Sequence, residues 1–154
     1  MAAHVAGLRR RGIVADAIDV RRGKAEDAVP ALRRTVPAGP GIAVGGQSFG
    51  GRVASLAAAE PDADYEALVL LSYPLHRPGQ PDIDQRTAHW PAIRCPVLLL
   101  SGEADPFARI DLLRAAVPRL ANAELVTYAK LGHTLKPVLD DALDRVAAFL
   151  RSLR

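Results

Sequence analysis

Residues 41–60 read GIAVGGQSFGGRVASLAAAE, and the rest of the chain is organised around them. Ile42, Ala43 and Val44 form a short apolar run that predicts a buried strand, and the Ala-rich run ending at Pro61 predicts a helix. Between them Gly46-Gln47-Ser48-Phe49-Gly50 fills the pattern G-x-S-x-G. A serine at the tip of a strained strand-to-helix turn projects its hydroxyl above the sheet, as in a nucleophile elbow. Strand and helix then run so close that neither Gly46 nor Gly50 is expected to tolerate a side chain. The helix that begins at Phe49 aims backbone N–H groups at any developing anion. G-x-S-x-G arises by chance in roughly 5% of chains this long, so the strand before it and the helix after it give it weight. A phosphate-cradling turn is the rival, but neither GxGxxG nor GxxxxGK is present.

Around this stretch lie 154 residues, 49% hydrophobic and 24% charged. That is enough for a single domain, 1–154, with a substantial core. No apolar run approaches the length of a membrane span, and no signal-peptide pattern opens the sequence. Formal charge is +3, and Lys24, Lys130 and Lys136 are the only lysines. Paired arginines (Arg21-Arg22, Arg33-Arg34) are dispersed, lack interleaved aromatics and are balanced by 17 acids, so solvated helix faces explain them better than nucleic acid does. A lone cysteine, Cys95, cannot form an internal disulfide. A reduced, cytoplasmic protein without a membrane partner is therefore expected.

Residues 2–11 predict a helix with Val5 and Leu8 on one face and Gly12 as its stop. Ile13–Val20 predicts a strand, interrupted by Asp16 and Asp19 and suited to a place near a sheet edge. Ala25–Val36 is helical, with Ala28, Leu32 and Val36 aligned and Pro30 limiting its regularity. After the elbow come an apolar strand (Ala67–Leu71), a Pro- and Gly-rich loop from Tyr73, and a polar stretch with one short helix. Strand Val97–Leu100, helix Arg109–Leu120, strand Ala123–Tyr128 and helix Pro137–Leu153 follow. Leu139, Leu143, Val146, Ala147 and Leu150 stripe the last helix. Strands alternating with helices, three of them apolar throughout, predict a three-layer α/β fold with a mostly parallel sheet of about five strands.

In such a sheet chemistry gathers at the C-terminal ends of the strands. Three loops lie there. They carry Ser48, the run Ser101-Gly102-Glu103-Ala104-Asp105-Pro106-Phe107, and Leu131-Gly132-His133-Thr134. A serine hydroxyl needs a base to take its proton, and His133 can be that base near neutral pH. Asp105 would hold the imidazole in the right tautomer, and the Phe49 N–H would give an oxyanion one donor. Each partner also has a bland explanation. Asp105 before Pro106 suits a helix N-cap, Glu103 is a rival acid, and His133 could be a surface loop residue. Gln47, Tyr73, His76 and Trp90 are candidate substrate-pocket residues, since the loop after Leu71 should wall the space beside Ser48; Pro-rich loops also bury aromatics beneath themselves. His4, His76 and His89 show no metal-ligand spacing, so neither metal nor cofactor is expected.

The order Ser48, Asp105, His133 is that of α/β-hydrolases. Residues 45–55 (GGQSFGGRVAS), 72–79 (SYPLHRPG) and 86–94 (RTAHWPAIR), with Asp105-Pro106-Phe107 and Gly132-His133, resemble the small bacterial α/β-hydrolases related to dienelactone hydrolases. Within them the chain is similar to the group holding the testis-expressed hydrolase-like proteins and a regulatory subunit of the NSL histone acetyltransferase complex. The resemblance covers nearly all of residues 41–154 and implies that Ser48, Asp105 and His133 form the triad. Ala88 departs from it, standing where the group usually has an acid.

The resemblance also implies an apolar strand and a His-Gly-x-Gly loop ahead of the helix at residues 2–11. Their absence leads us to expect an N-terminally truncated domain with Met1 as an internal start, and a sheet gap between Ile13–Val20 and Ile42–Val44. That gap would close by an inward slide of about 4.8 Å or leave edges open to strand exchange, hence to a homo-oligomer. The second oxyanion donor would be lost with the loop. Two function classes follow. The first is a serine hydrolase acting on small-molecule esters or thioesters through an acyl-enzyme; the second is a catalytically weak or inactive interaction module on the same fold.

Overall fold

The structure, a computed structural model, describes residues 1–154. Elements follow in the order α1 (Ala2–Arg10), α2 (Ala25–Thr35), β1 (Ala43–Gln47), α3 (Phe49–Ala58), β2 (Ala67–Leu71), α4 (Asp84–Thr87), β3 (Val97–Gly102), α5 (Ile110–Ala116), β4 (Ala123–Tyr128) and α6 (Leu139–Ser152). The four strands pair in parallel in the order β1-β2-β3-β4. Each crossover returns the chain to the same end, so all four C-terminal strand ends lie together. The loops holding Ser48, Asp105 and His133 leave from that end.

The apolar strands are covered on both faces, as continuous hydrophobic runs in a parallel sheet must be. Successive side chains of a strand point to opposite faces. Leu68 and Leu70 of β2 accordingly join Val97 and Leu99 in the larger core with α2, α3 and α5, where Val53, Ala54 and Leu113 are buried. Val69 and Leu71 face the other way, with Leu98 and Leu100, against Ala142 and Val146 of α6. Burying each such Leu contributes about 1.5–3 kcal/mol. Arg11, just past α1, bonds Asp144 at 2.6 Å and Asp140 at 3.1 Å, tying α1 to α6.

Three expectations need correction. The sheet has four strands, not about five, because Ile13–Val20 forms no strand. Ile18 and Val20 pack on the larger core while Val14 is almost fully exposed. A strand exists only through a hydrogen-bonded neighbouring strand, and residues 13–20 pair with none; Ile13 N–H instead turns back to Leu8 O at 3.1 Å. They have not slid against β1. The side of β1 turned away from β2 carries no strand, and a cleft of about 930 Å³ separates it from residues 13–20. Finally, α5 stops at Ala116 instead of reaching Leu120, since Pro118 cannot continue a helix and the chain tightens into a 3₁₀ turn over Val117–Arg119.

Candidate active site

Strand β1 continues through its glycines to Gln47, and Ser48 N–H still donates to Leu71 O at 2.8 Å. The chain then reverses at Ser48 with φ 50° and ψ −120° before α3 opens at Phe49. A non-glycine residue in that conformation is strained, as an elbow requires. A Cβ on Gly46 would lie 2.5 Å from Gly50 C and 2.7 Å from Gly51 N, so strand and helix meet backbone to backbone. Gly51 is the reciprocal contact, its Cβ meeting Gly46 O at 2.8 Å. Gly50, expected to share this constraint, has open space within 4 Å. Placed on the first turn of α3, it points away from the strand.

The acid and the base come from neighbouring strand ends. Carbonyls of Leu131 and Gly132 press against Gly102, where a Cβ would strike them, and Ala104 N–H donates to Leu131 O at 2.9 Å. The His133 loop is thereby laid over the turn that carries Asp105. Asp105 is buried, 3% exposed. Its Oδ1 accepts the Phe107 N–H at 2.8 Å, and its Oδ2 lies 2.8 Å from His133 Nδ1. His133 Nε2 stands 2.9 Å from Ser48 Oγ. A carboxylate can only accept here, so Nδ1 carries the proton and Nε2 is left to accept from the serine hydroxyl. The Phe107 ring leans on the imidazole, centroids 4.7 Å apart.

Asp105 caps no helix, since α5 begins only at Ile110; its side chain closes a turn on Phe107. Glu103, the rival acid, is engaged elsewhere by Thr127 Oγ1 at 2.7 Å and Arg114 at 3.3 Å. Phe49 opens α3, so its N–H has no partner within the helix. Gln47, Ser48 and Phe49 line the cleft beside β1.

The other pocket candidates do not line it. Trp90 is fully buried in the larger core, edge-on to Tyr73 at 5.2 Å, and His76 is 2% exposed. Tyr73 donates to Arg86 O at 2.6 Å, and Arg86 in turn donates to Pro74 O at 2.8 Å. His89 Nε2 lies 2.8 Å from Ser55 Oγ, two turns along α3 from Ser48. Arg86, Phe107 and Ser55 were not foreseen. Phe107 sits in the Asp-Pro-Phe run, but only the fold puts its ring on the imidazole.

Burial, followed by the charge of Arg52, pushes His89 down to about 4. The native state therefore binds a proton less readily than the unfolded chain does. Stability from this group is complete above the ordinary value of 6.5 and is lost as pH falls toward 4. The urea midpoint should fall over that window, and His89→Gln, which can still donate to Ser55, should flatten part of the fall. Equal slopes for both proteins would contradict this.

A model of the alpha/beta hydrolase domain matches residues 8–150. The chain belongs to that family. Among curated proteins no sequence matches it. Among solved structures it is similar to a monoacylglycerol lipase from Paleococcus ferrophilus, with TM-score 0.78 and 14% identity over 99% of this chain and 88% of that one. A predicted CIB-like hydrolase from Thermoplasma acidophilum gives 0.68 and 17%, over 85% of this chain and 61% of that one. A YdeN-like hydrolase from Pectobacterium atrosepticum gives 0.69 and 21%, over 87% and 76%. The chain thus spans about three-fifths of the Thermoplasma protein's length. At these identities the hydrolase neighbours speak for the fold alone. No helix is long and apolar enough to cross a membrane.

Proposed function

We propose that the protein is a serine hydrolase of small esters or thioesters, with Ser48 as nucleophile, His133 as general base and Asp105 as its orienting acid. What carries this is the unbroken relay from Ser48 Oγ to His133 Nε2 at 2.9 Å and from Nδ1 to Asp105 at 2.8 Å. As Ser48 Oγ attacks the acyl carbon, His133 takes its proton and Asp105 stabilises the imidazolium. The oxyanion turns toward the Phe49 N–H and the N-terminal end of α3. His133 then returns the proton to the departing alcohol or thiol, and water releases the acyl group by the same route in reverse.

We further propose that the chain falls in the dienelactone-hydrolase-related group; in support, residues carrying that likeness hold the loop in place, Arg86 through Pro74 O and His76 O, and His89 through Ser55. It works in this proposal as a single domain on a small-molecule substrate, without a cofactor. Cys95, half-buried and unpaired, suits a reducing, cytoplasmic setting.

A fluorophosphonate probe tests the assignment. Wild type should be labelled on Ser48, Ser48→Ala not at all, and His133→Ala roughly 10²–10⁴-fold more slowly. Equal labelling of wild type and Ser48→Ala would refute the nucleophile. An unlabelled wild type would favour the non-catalytic interaction module.

A further inference from the structure

Through its ring and its backbone N–H, His76 makes three bonds that a Pro-rich loop did not foretell. Its Nδ1 lies 2.8 Å from Arg77 O, and a carbonyl only accepts, so Nδ1 carries a proton. Its Nε2 accepts the backbone N–H of Arg109 at 3.0 Å. Its own backbone N–H donates to Phe107 O at 3.0 Å. The neutral imidazole protonated on Nδ1 is the one form that satisfies both ring contacts. Arg86, reaching Pro74 O at 2.8 Å and His76 O at 3.4 Å, holds this piece of loop from behind.

Those bonds grip the acid turn at two points. Between Phe107 and Arg109 the chain has no helix or strand to define it, since α5 starts at Ile110. Yet the turn carries two of the groups that touch the base, the Asp105 carboxylate on Nδ1 and the Phe107 ring tilted against the imidazole. A turn free to shift would carry both with it.

We propose that His76 is a positioning residue: by bonding Phe107 O and Arg109 N–H it fixes the Asp105–Arg109 turn, and through that turn the orientation of the His133 imidazole. This deepens the serine-hydrolase assignment and rests on it. His76 is 2% exposed, and its ring bonds only the backbone groups Arg77 O and Arg109 N–H. The stretch joining Tyr73 to Trp90 is thus a brace between the elbow helix, where His89 meets Ser55, and the acid turn, where His76 meets Arg109.

Two replacements separate this role from packing. In His76→Gln the amide oxygen can stand where Nε2 accepts from Arg109. In His76→Asn a donor remains for Arg77 O, but Arg109 N–H loses its acceptor. Activated-ester turnover and the low-field proton resonance of the His133–Asp105 bond are to be measured on the full chain. We expect His76→Asn to lower kcat roughly 10–100-fold with KM little changed, since a shift of about 1 Å can cost that much. Its resonance should broaden or vanish, and His76→Gln should restore most of both.

Arg109→Pro attacks the same bond from the other side. It deletes the N–H, the φ of −50° at Arg109 suits proline, and its Cδ, standing where the amide hydrogen was, pushes the His76 ring off the turn. It should reproduce the defect even if His76→Asn fails to fold. Wild-type kcat and resonance in either His76→Asn or Arg109→Pro would overturn the proposal, as would a His76→Gln no better than His76→Asn. The resonance is read whether or not any ester is cleaved. A wild type that neither labels nor turns over would therefore sink the serine-hydrolase assignment while the bond itself still reports on His76.

Discussion

Asp105→Asn should lower kcat on an activated ester by about 10⁴-fold while barely moving the unfolding midpoint. The reason lies in which oxygen does what. Oδ1 accepts the Phe107 N–H at 2.8 Å, a bond that an asparagine oxygen can keep. Keeping it turns the amide NH₂ toward His133 Nδ1, where the carboxylate had accepted at 2.8 Å. Two donors cannot face each other, so the imidazole moves its proton to Nε2. Nε2–H then meets Ser48 Oγ, and the base can no longer take the serine proton. Because shape and the Phe107 bond survive, the loss falls on turnover. Glu103→Gln is the matched control and should leave kcat unchanged, since Glu103 bonds Thr127 and Arg114 away from the base. A fall of less than tenfold in Asp105→Asn, or an equal fall in Glu103→Gln, would show that the acid was assigned to the wrong residue.

The order of these three residues was legible because each is set by local pattern: an apolar run, then a loop at its C-terminal end. What was not legible depended on neighbours. Ile13–Val20 has the composition of an interrupted strand, but strandedness needs a partner's N–H and C=O groups, and no stretch of sequence states whether one is adjacent. Asp105 before Pro106 fits a helix cap or a side-chain-closed turn equally well, and the choice falls to where α5 starts. Tyr73, His76 and Trp90 lie in a loop whose prolines and aromatics suit either a pocket wall or a buried underside. The Arg86 guanidinium and two histidines satisfied inside decide for the underside. A motif can mark a loop as specific without saying whether its side chains meet substrate or hold the machinery from behind.

The glycines of the elbow show the same limit at atomic scale, and they give the largest expected effect on stability. In the pattern G-x-S-x-G the two outer glycines look equivalent. In the fold they are not. A methyl group on Gly46 would sit 2.5 Å from Gly50 C, 2.7 Å from Gly51 N and 2.8 Å from Gly50 O. All three are backbone atoms of the first turn of α3, so no side chain can swing aside. Strand and helix must separate instead, and Val53, Ala54 and Ala57, all fully buried on the same helix, would be pulled from the core. We expect Gly46→Ala to cost about 3–5 kcal/mol, a large part of a typical domain's total stability, and to weaken Ser48 labelling as the elbow deforms. Gly50 has nothing within 4 Å and lies in helical conformation. Alanine there restricts the unfolded chain and favours the helix, so Gly50→Ala should stabilise by up to about 1 kcal/mol. Urea denaturation of the two variants beside wild type decides the matter. Opposite shifts in midpoint are expected; equal losses would mean that the close approach involves Gly50 after all and that the backbone contact at Gly46–Gly51 is not what holds the elbow shut.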